Sequence, residues 1–399
     1  VFYLNKLFDL VSDLSFEAIK VKSHLCTKVR SPHSQCQKCI EICPQDAITI
    51  EQKVSVDQEK CDKCGHCYNV CPVGVFVIQE GSDSKLISEA AGIADFTQEL
   101  IISCQKVRVK RNERKKEIKV KCLARLSEEI LISIFKLDYR YLLLKNGKCD
   151  QCELNGLELI KKTVKNSNNI LSLFDNEKRI WLNEIENNQI PNHILRSSIL
   201  NEDDVKGDTN KDCTKDANTE VINRRQLFNV LKSEIKKSFN KNNEDSNRDE
   251  SSFREKEIPV NRKMLLDFMQ EFSEEQLINS TKKQTIFWDL ELAADCDFCG
   301  SCVTLCPTSA LEIIKEEERK EILFTPAFCT GCKLCQEICV LDAIRLSNQR
   351  DLKTILNNEQ VSVQKGVKKV CSGCGDEFFA TEDEKNKCFG CAYQANLMN

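Results

Sequence analysis

Cysteine is the residue type through which this chain can do chemistry: there are 25 in 399 residues. Cys36, Cys39 and Cys43 are followed by Cys61, Cys64, Cys67 and Cys71, and much later come Cys296, Cys299, Cys302 and Cys306, then Cys329, Cys332, Cys335 and Cys339. Cys36, Cys39 and Cys43 map onto Cys299, Cys302 and Cys306 at one constant offset, so the pattern is duplicated. Proline follows Cys43, Cys71 and Cys306, while Val340 follows Cys339. Thiols this close in sequence are better placed to clamp a metal than to staple distant loops. With an odd total, the cysteines predict a metal or iron–sulfur protein whose thiols stay reduced, and hence a cytoplasmic one.

Other chemistries find little support. Four histidines (His24, His33, His66, His193) leave little for imidazole acid–base catalysis. Only 13 glycines are present, with no G-x-G-x-x-G and no G-x-x-x-x-G-K-[ST], which argues against a nucleotide or dinucleotide. The formal charge of −4 predicts no non-specific nucleic-acid binding. The opening residues, VFYLNKLFDLVSDLSFEAIK, are broken by charge every three or four positions. They read as an amphipathic helix over 1–25 rather than a signal or membrane span.

The elements that position the cysteines are short. PQDAITI, PVGVFVI, PTSALEII and VLDAIRL, each after a last cysteine, read as a turn and a strand, with KVSVDQEKC and EILFTPAFC as return strands of hairpins. IEIC, YNVC, VTLC and QEIC each give one helical turn. Each half is then a small α+β unit whose metal centres must supply much of its folding energy.

Residues 26–82 and 286–350 resemble bacterial-type two-cluster ferredoxins, most closely at CDKCGHCYNVCP and CDFCGSCVTLCP. The resemblance implies four [4Fe–4S] clusters, with the fourth cysteine of each motif ligating the neighbouring cluster. On this pattern one C-terminal cluster takes Cys296, Cys299, Cys302 and Cys339, and the other takes Cys306, Cys329, Cys332 and Cys335. In the N-terminal half one takes Cys43, Cys61, Cys64 and Cys67. The remaining ligands are Cys36, Cys39 and Cys71, because His33 stands where the motif's first cysteine belongs. Three accounts compete: Cys26 reaches back as fourth ligand, His33 ligates, or the cluster has three ligands. Thiolates are the usual cubane ligands, which favours Cys26. Four zinc ions on the same thiolates is the poorer alternative.

Between the modules, residues 95–200 carry Cys104, Cys122, Cys149 and Cys152. TQELIISC and EIKVKC read as strands tipped by cysteine, LSEEILISIFKL as a helix and YRYLLLK as a strand. This βαβ pattern predicts a central α/β domain with all four thiols at the C-terminal edge of a parallel sheet, holding zinc, [2Fe–2S] or a further iron–sulfur cluster. IKVKCLARLSEEILI and KCDQC resemble the small iron–sulfur subunits that link hydrogenases to heterodisulfide reductases. The basic run KVRVKRNERKK reads as a solvated loop or as a dock for an acidic partner.

Residues 201–285 read as a helical or disordered linker, polar and charged, with a lone thiol at Cys213 and candidate helices in NRRQLFNVLKSEIKKSF and RKMLLDFMQEFSEEQL. That predicts two modules free to move relative to each other. In 365–399, Cys371, Cys374, Cys388 and Cys391 form two C-x-x-C knuckles, predicting a zinc ribbon, with a rubredoxin-type iron as the alternative. The expected fold is α+β and multidomain.

Paired cluster modules without a substrate pocket point to an electron carrier: a polyferredoxin-like subunit or accessory partner of a larger oxidoreductase. CTKVRSPHSQCQKC is similar to the opening of iron–sulfur accessory proteins of formate dehydrogenases. Two other classes compete. One is an enzyme subunit doing thiol–disulfide or sulfur chemistry at the central four cysteines; the other is a redox sensor or assembly scaffold.

Overall fold

A computed structural model describes residues 19–79, 81–174, 177–183, 255–272, 286–348, 352–381 and 385–397. All of them belong to one compact unit made of residues 1–188 and 254–399. The expected helix over residues 1–18, Cys213 and the candidate helix NRRQLFNVLKSEIKKSF lie outside the described residues.

The first module has four three-residue strands: β1 (Ile19–Val21), β2 (Ile48–Ile50), β3 (Val54–Val56) and β4 (Phe76–Ile78). β2 and β3 form the expected hairpin, while β1 pairs antiparallel with β4 and closes the two ends of the module. Residues 19–25, assigned above to a helix, are therefore strand and a 3₁₀ turn. Their alternating burial places Ile19 against Ile48, Val54 and Phe76 in the module's core.

The central region is a four-stranded parallel sheet of β5 (Glu99–Cys104), β6 (Glu117–Val120), β7 (Tyr141–Lys145) and β8 (Arg179–Asn183), in the order β6-β5-β7-β8. Leu100, Ile101, Ile102, Leu142 and Leu144 are buried along it, as a parallel sheet covered by helices requires. Helices Asp83–Ala94, Glu128–Ser133 and Leu157–Phe174 supply the cover; Ser127 caps the second by accepting from the Ile130 N–H.

The second module repeats the first. β9 (Asp289–Leu292) pairs with β12 (Ile344–Ser347), and β10 (Leu311–Lys315) with β11 (Arg319–Phe324). Here β13 (Val361–Val370) and β14 (Glu377–Ala380) extend the hairpin into one sheet, β10-β11-β13-β14. The C-terminal segment assigned above to 365–399 thus begins at β13 and is continuous with the module.

Residues 255–272, placed above in the linker over 201–285, are packed into the compact unit, and the candidate helix in RKMLLDFMQEFSEEQL is present in its described part. The helix Val260–Met269 buries Arg262, Leu265 and Phe268 in the same core as the central sheet. The stretch before it runs along a seam between the two modules. Lys22 pairs with Glu257 at 2.6 Å, the Lys256 ammonium donates to the Val303 carbonyl at 2.7 Å, and the Glu257 N–H donates to the Pro307 carbonyl at 2.8 Å. The modules are packed together rather than separated by a connection.

Candidate metal centres

Three of the four module motifs combine a one-turn helix with a turn that only unusual backbone allows. The residue before the second cysteine is left-handed at Lys63, Phe298 and Gly331, and the residue after it at Gly65, Gly300 and Lys333. Such turns fold three thiols around one centre. Three residues past each last cysteine the chain is left-handed again, at Asp46, Gly74, Ser309 and Asp342. This turns an N–H back on the sulfur: Ala47 N–H donates to Cys43 Sγ at 3.3 Å, Val75 to Cys71 at 3.5 Å and Ala343 to Cys339 at 3.4 Å. The motif at His33 lacks this geometry, with φ −130° at Gln37.

Four cavities are each lined by one four-cysteine set. Cys43, Cys61, Cys64 and Cys67 line one; Cys26, Cys36, Cys39 and Cys71 another; Cys306, Cys329, Cys332 and Cys335 a third; Cys104, Cys122, Cys149 and Cys152 the fourth. Cys296, Cys299 and Cys339 gather around Cys302, whose thiol is pushed up to about 12 by burial and then by its three neighbours. Cys26 is buried and lines its cavity, while His33 is exposed to solvent and lines none of the four.

Burial opposes the thiolate form at several of these cysteines: Cys39, Cys122 and Cys329 are raised to about 12 and Cys71 to about 11. Sulfurs grouped this way are stable as thiolates only beside a compensating cation, which is what iron or zinc provides.

The last set differs. Cys371, Cys374, Cys388 and Cys391 have their sulfurs within 4.8 Å of one another, with Cys374 and Cys388 at 3.8 Å. A tetrahedral ion with metal–sulfur bonds of about 2.3 Å needs sulfurs about 3.8 Å apart. The backbone N–H of Cys388, then those of Cys374 and Gly373, hold the Cys371 thiol down to about 6. Among the described residues no other cysteine set is this tight. The other sets fit a larger group.

Two buried arginines went unread in the sequence, since nothing in local spacing marks them. Arg30 donates to the carbonyl oxygens of His24, at 2.6 Å, Leu305, at 3.4 Å, and Glu255, and the thiolates of Cys306 and Cys332 act on its charge. Arg262, 1% exposed, donates to the carbonyls of Ala327, Ile286 and Cys329 at 2.8–2.9 Å and lies 4.4 Å from the Phe287 ring; burial pulls its guanidinium down to about 10. Both cations flank the set Cys306, Cys329, Cys332 and Cys335. Cys332 itself packs against the core of the first module.

No described helix is long and apolar enough to cross a membrane. The 4Fe-4S dicluster domain family matches residues 34–75 and 295–343. The chain is 42% identical over 60 residues to a polyferredoxin of Methanothermus fervidus, covering 12% of this chain and 15% of that protein. It is 35% identical over 71 residues to the polyferredoxin-like subunit of an aliphatic sulfonate oxidoreductase of Pyrococcus furiosus, covering 16% and 41%. A ferredoxin of Methanocaldococcus jannaschii is 44% identical over 48 residues, covering 11% and 32%. The chain thus spans less than half the length of each of these relatives. Two segments that flank the parallel-sheet domain in sequence carry the same cysteine spacing, the same strand pairing and the same family match, so this chain contains a duplicated 4Fe-4S ferredoxin-like dicluster domain.

Proposed function

We propose that this protein is an electron carrier holding four [4Fe–4S] clusters in single file, working as a subunit or accessory partner of a larger oxidoreductase. The observation that carries this is the junction between modules. Cys332 of the second module packs against the core of the first, near enough for Cys36 to act on its ionisation, and buried Arg30 spans the seam. The order along the chain of centres is then Cys43/Cys61/Cys64/Cys67, Cys26/Cys36/Cys39/Cys71, Cys306/Cys329/Cys332/Cys335, Cys296/Cys299/Cys302/Cys339. Bound clusters supply one-electron storage at each step.

The chain's own residues do the rest. Cysteines fix the centres, and the N–H donors of Ala47, Val75 and Ala343 favour the more negative, reduced state. Cys26, not His33, completes the first module's second centre. Cys371, Cys374, Cys388 and Cys391 hold zinc, which closes the tail and ties it to the module: Lys385 pairs with Asp295 at 2.9 Å. Proteins of the oxidoreductase that it serves are the donor and acceptor.

Anaerobic purification with metal and sulfide analysis and EPR of the reduced protein tests this. At least about sixteen irons and about one zinc per chain are expected, with spin–spin interaction between neighbouring centres. Fewer than about eight irons would sink the reading.

A further inference from the structure

His66 stands between two cavity-lining cysteines in Cys64-Gly65-His66-Cys67, and the matching residue of the second module, in Cys332-Lys333-Leu334-Cys335, is Leu334. Leu334 stays local, lining the cavity of its own cysteine set. His66 instead leaves its module. It is 1% exposed, and its Nε2 lies 3.3 Å from Sγ of Cys122 in the central set.

The contact is built from both sides. A Cβ on Gly156 would come within 2.9 Å of His66 Nε2, 3.1 Å of Cys122 Sγ and 2.5 Å of the Ala124 Cβ, so only glycine fits there. Asn69, one turn along the same helix, donates to the carbonyls of Ala124 and Leu126 at 2.8 Å each. Cys64 shares one buried apolar cluster with Cys122, Ala124 and Leu154, and Cys152 packs against it. The central four cysteines line a cavity of their own, as the module sets do, and their sulfurs are not drawn together as a single tetrahedral ion requires.

We propose that the central site, Cys104, Cys122, Cys149 and Cys152, holds an iron–sulfur cluster that is the end station of the relay, and that His66 is the positioning residue joining it to the centre of Cys43, Cys61, Cys64 and Cys67. The inference rests on the relay reading above. A metal-bound thiolate can only accept, so Nε2–H donates to Cys122 Sγ, and a hydrogen bond to a ligand sulfur raises the potential of the centre. The step is a single-electron exchange. One centre is oxidised by one electron as its neighbour is reduced by one, and no bond forms or breaks at His66 or Cys122.

The test uses the full chain, purified anaerobically, with iron and zinc counted and EPR-monitored titrations of each centre. Cys149→Ser/Cys152→Ser is expected to lose iron and one EPR signal with zinc unchanged. His66→Leu is expected to shift the midpoint of that signal downward while the other centres hold theirs, and His66→Gln, whose side-chain amide can still donate, to restore it. Loss of zinc instead of iron from the double variant, or a midpoint indifferent to His66→Leu, would overturn the inference. The relay reading fails by a different result, an absence of iron from the module cysteines of the unaltered protein.

Discussion

The two dicluster modules share spacing, turns and strand pairing, yet their surroundings differ. In the first, one motif has lost its leading cysteine, and the turn there lacks the left-handed residues of the other three. A thiol ten residues upstream, Cys26, lines the cavity instead. In the second, all eight cysteines stand in register, and two buried guanidinium groups lie beside one set. The comparison teaches that a duplicated ligand frame fixes what can be bound, while the packed neighbours of each copy set how it is held and at what potential.

The strongest way to break the comparison is at the leading ligand. Cys26→Ser should remove about four irons per chain, as should Cys296→Ser at the regular motif. His33→Ala should remove none, and iron analysis with EPR reads all three. Equal iron loss from His33→Ala would restore histidine to the site.

Arg262→Met comes next. It leaves the carbonyls of Ala327, Ile286 and Cys329 without their donor in a buried seam. At about 1–3 kcal/mol for each unsatisfied buried group, we expect a loss of about 3 kcal/mol or more in thermal or denaturant unfolding. The cluster beside it should also fall in potential, because a buried cation no longer offsets its negative charge. Arg30→Met should lower the same centre with a smaller stability cost, since Arg30 is less deeply buried, 7% exposed against 1% for Arg262.

Gly366→Ala tests the sheet extension found only on the second module. Its Cβ would lie 2.4 Å from the ring of Phe298, inside the Cys296–Cys302 loop. A loss of about 1–3 kcal/mol is expected from overpacking, with slower reconstitution of that cluster. Among the described residues, no such strand joins the corresponding hairpin of the first module.

The smallest effect is expected in the basic segment. Burial of Glu113 works against its charged form, but the Lys145 ammonium at 2.8 Å and the Lys110 N–H outweigh it and hold the carboxyl below its usual range. Its contribution is therefore present above the ordinary carboxylate pKa and is lost as pH falls through the lowered one. Glu113→Gln should cost less than about 1 kcal/mol at neutral pH and flatten that part of the acid unfolding curve.

Much of the site was legible from residues alone because metal ligation here is local: a C-x-x-C turn brings two sulfurs together wherever it occurs. The alternation of strands and helix in 99–145 likewise announced a parallel sheet with its thiols on one edge, and β5, β6 and β7 end at Cys104, just before Cys122 and just before Cys149. Residues 19–25 misled because a three-residue strand carries too little pattern to separate it from the end of a helix. At residues 255–272 the candidate helix is present, but its polar flanks gave no sign that its apolar face is buried in the central core.

The sequence by itself determined the cysteine inventory, its duplication and the one motif out of register, since these depend on covalent spacing. Only the tertiary structure decided that Cys26 rather than His33 faces a cavity, that the modules abut along the 255–259 strand of chain, that Arg30 and Arg262 flank one set, and that His66 meets Cys122. Each of these joins residues tens to hundreds of positions apart. Such contacts are set by how whole elements pack, where burial and unpaired polar groups are balanced over the entire core, and no local pattern encodes that balance.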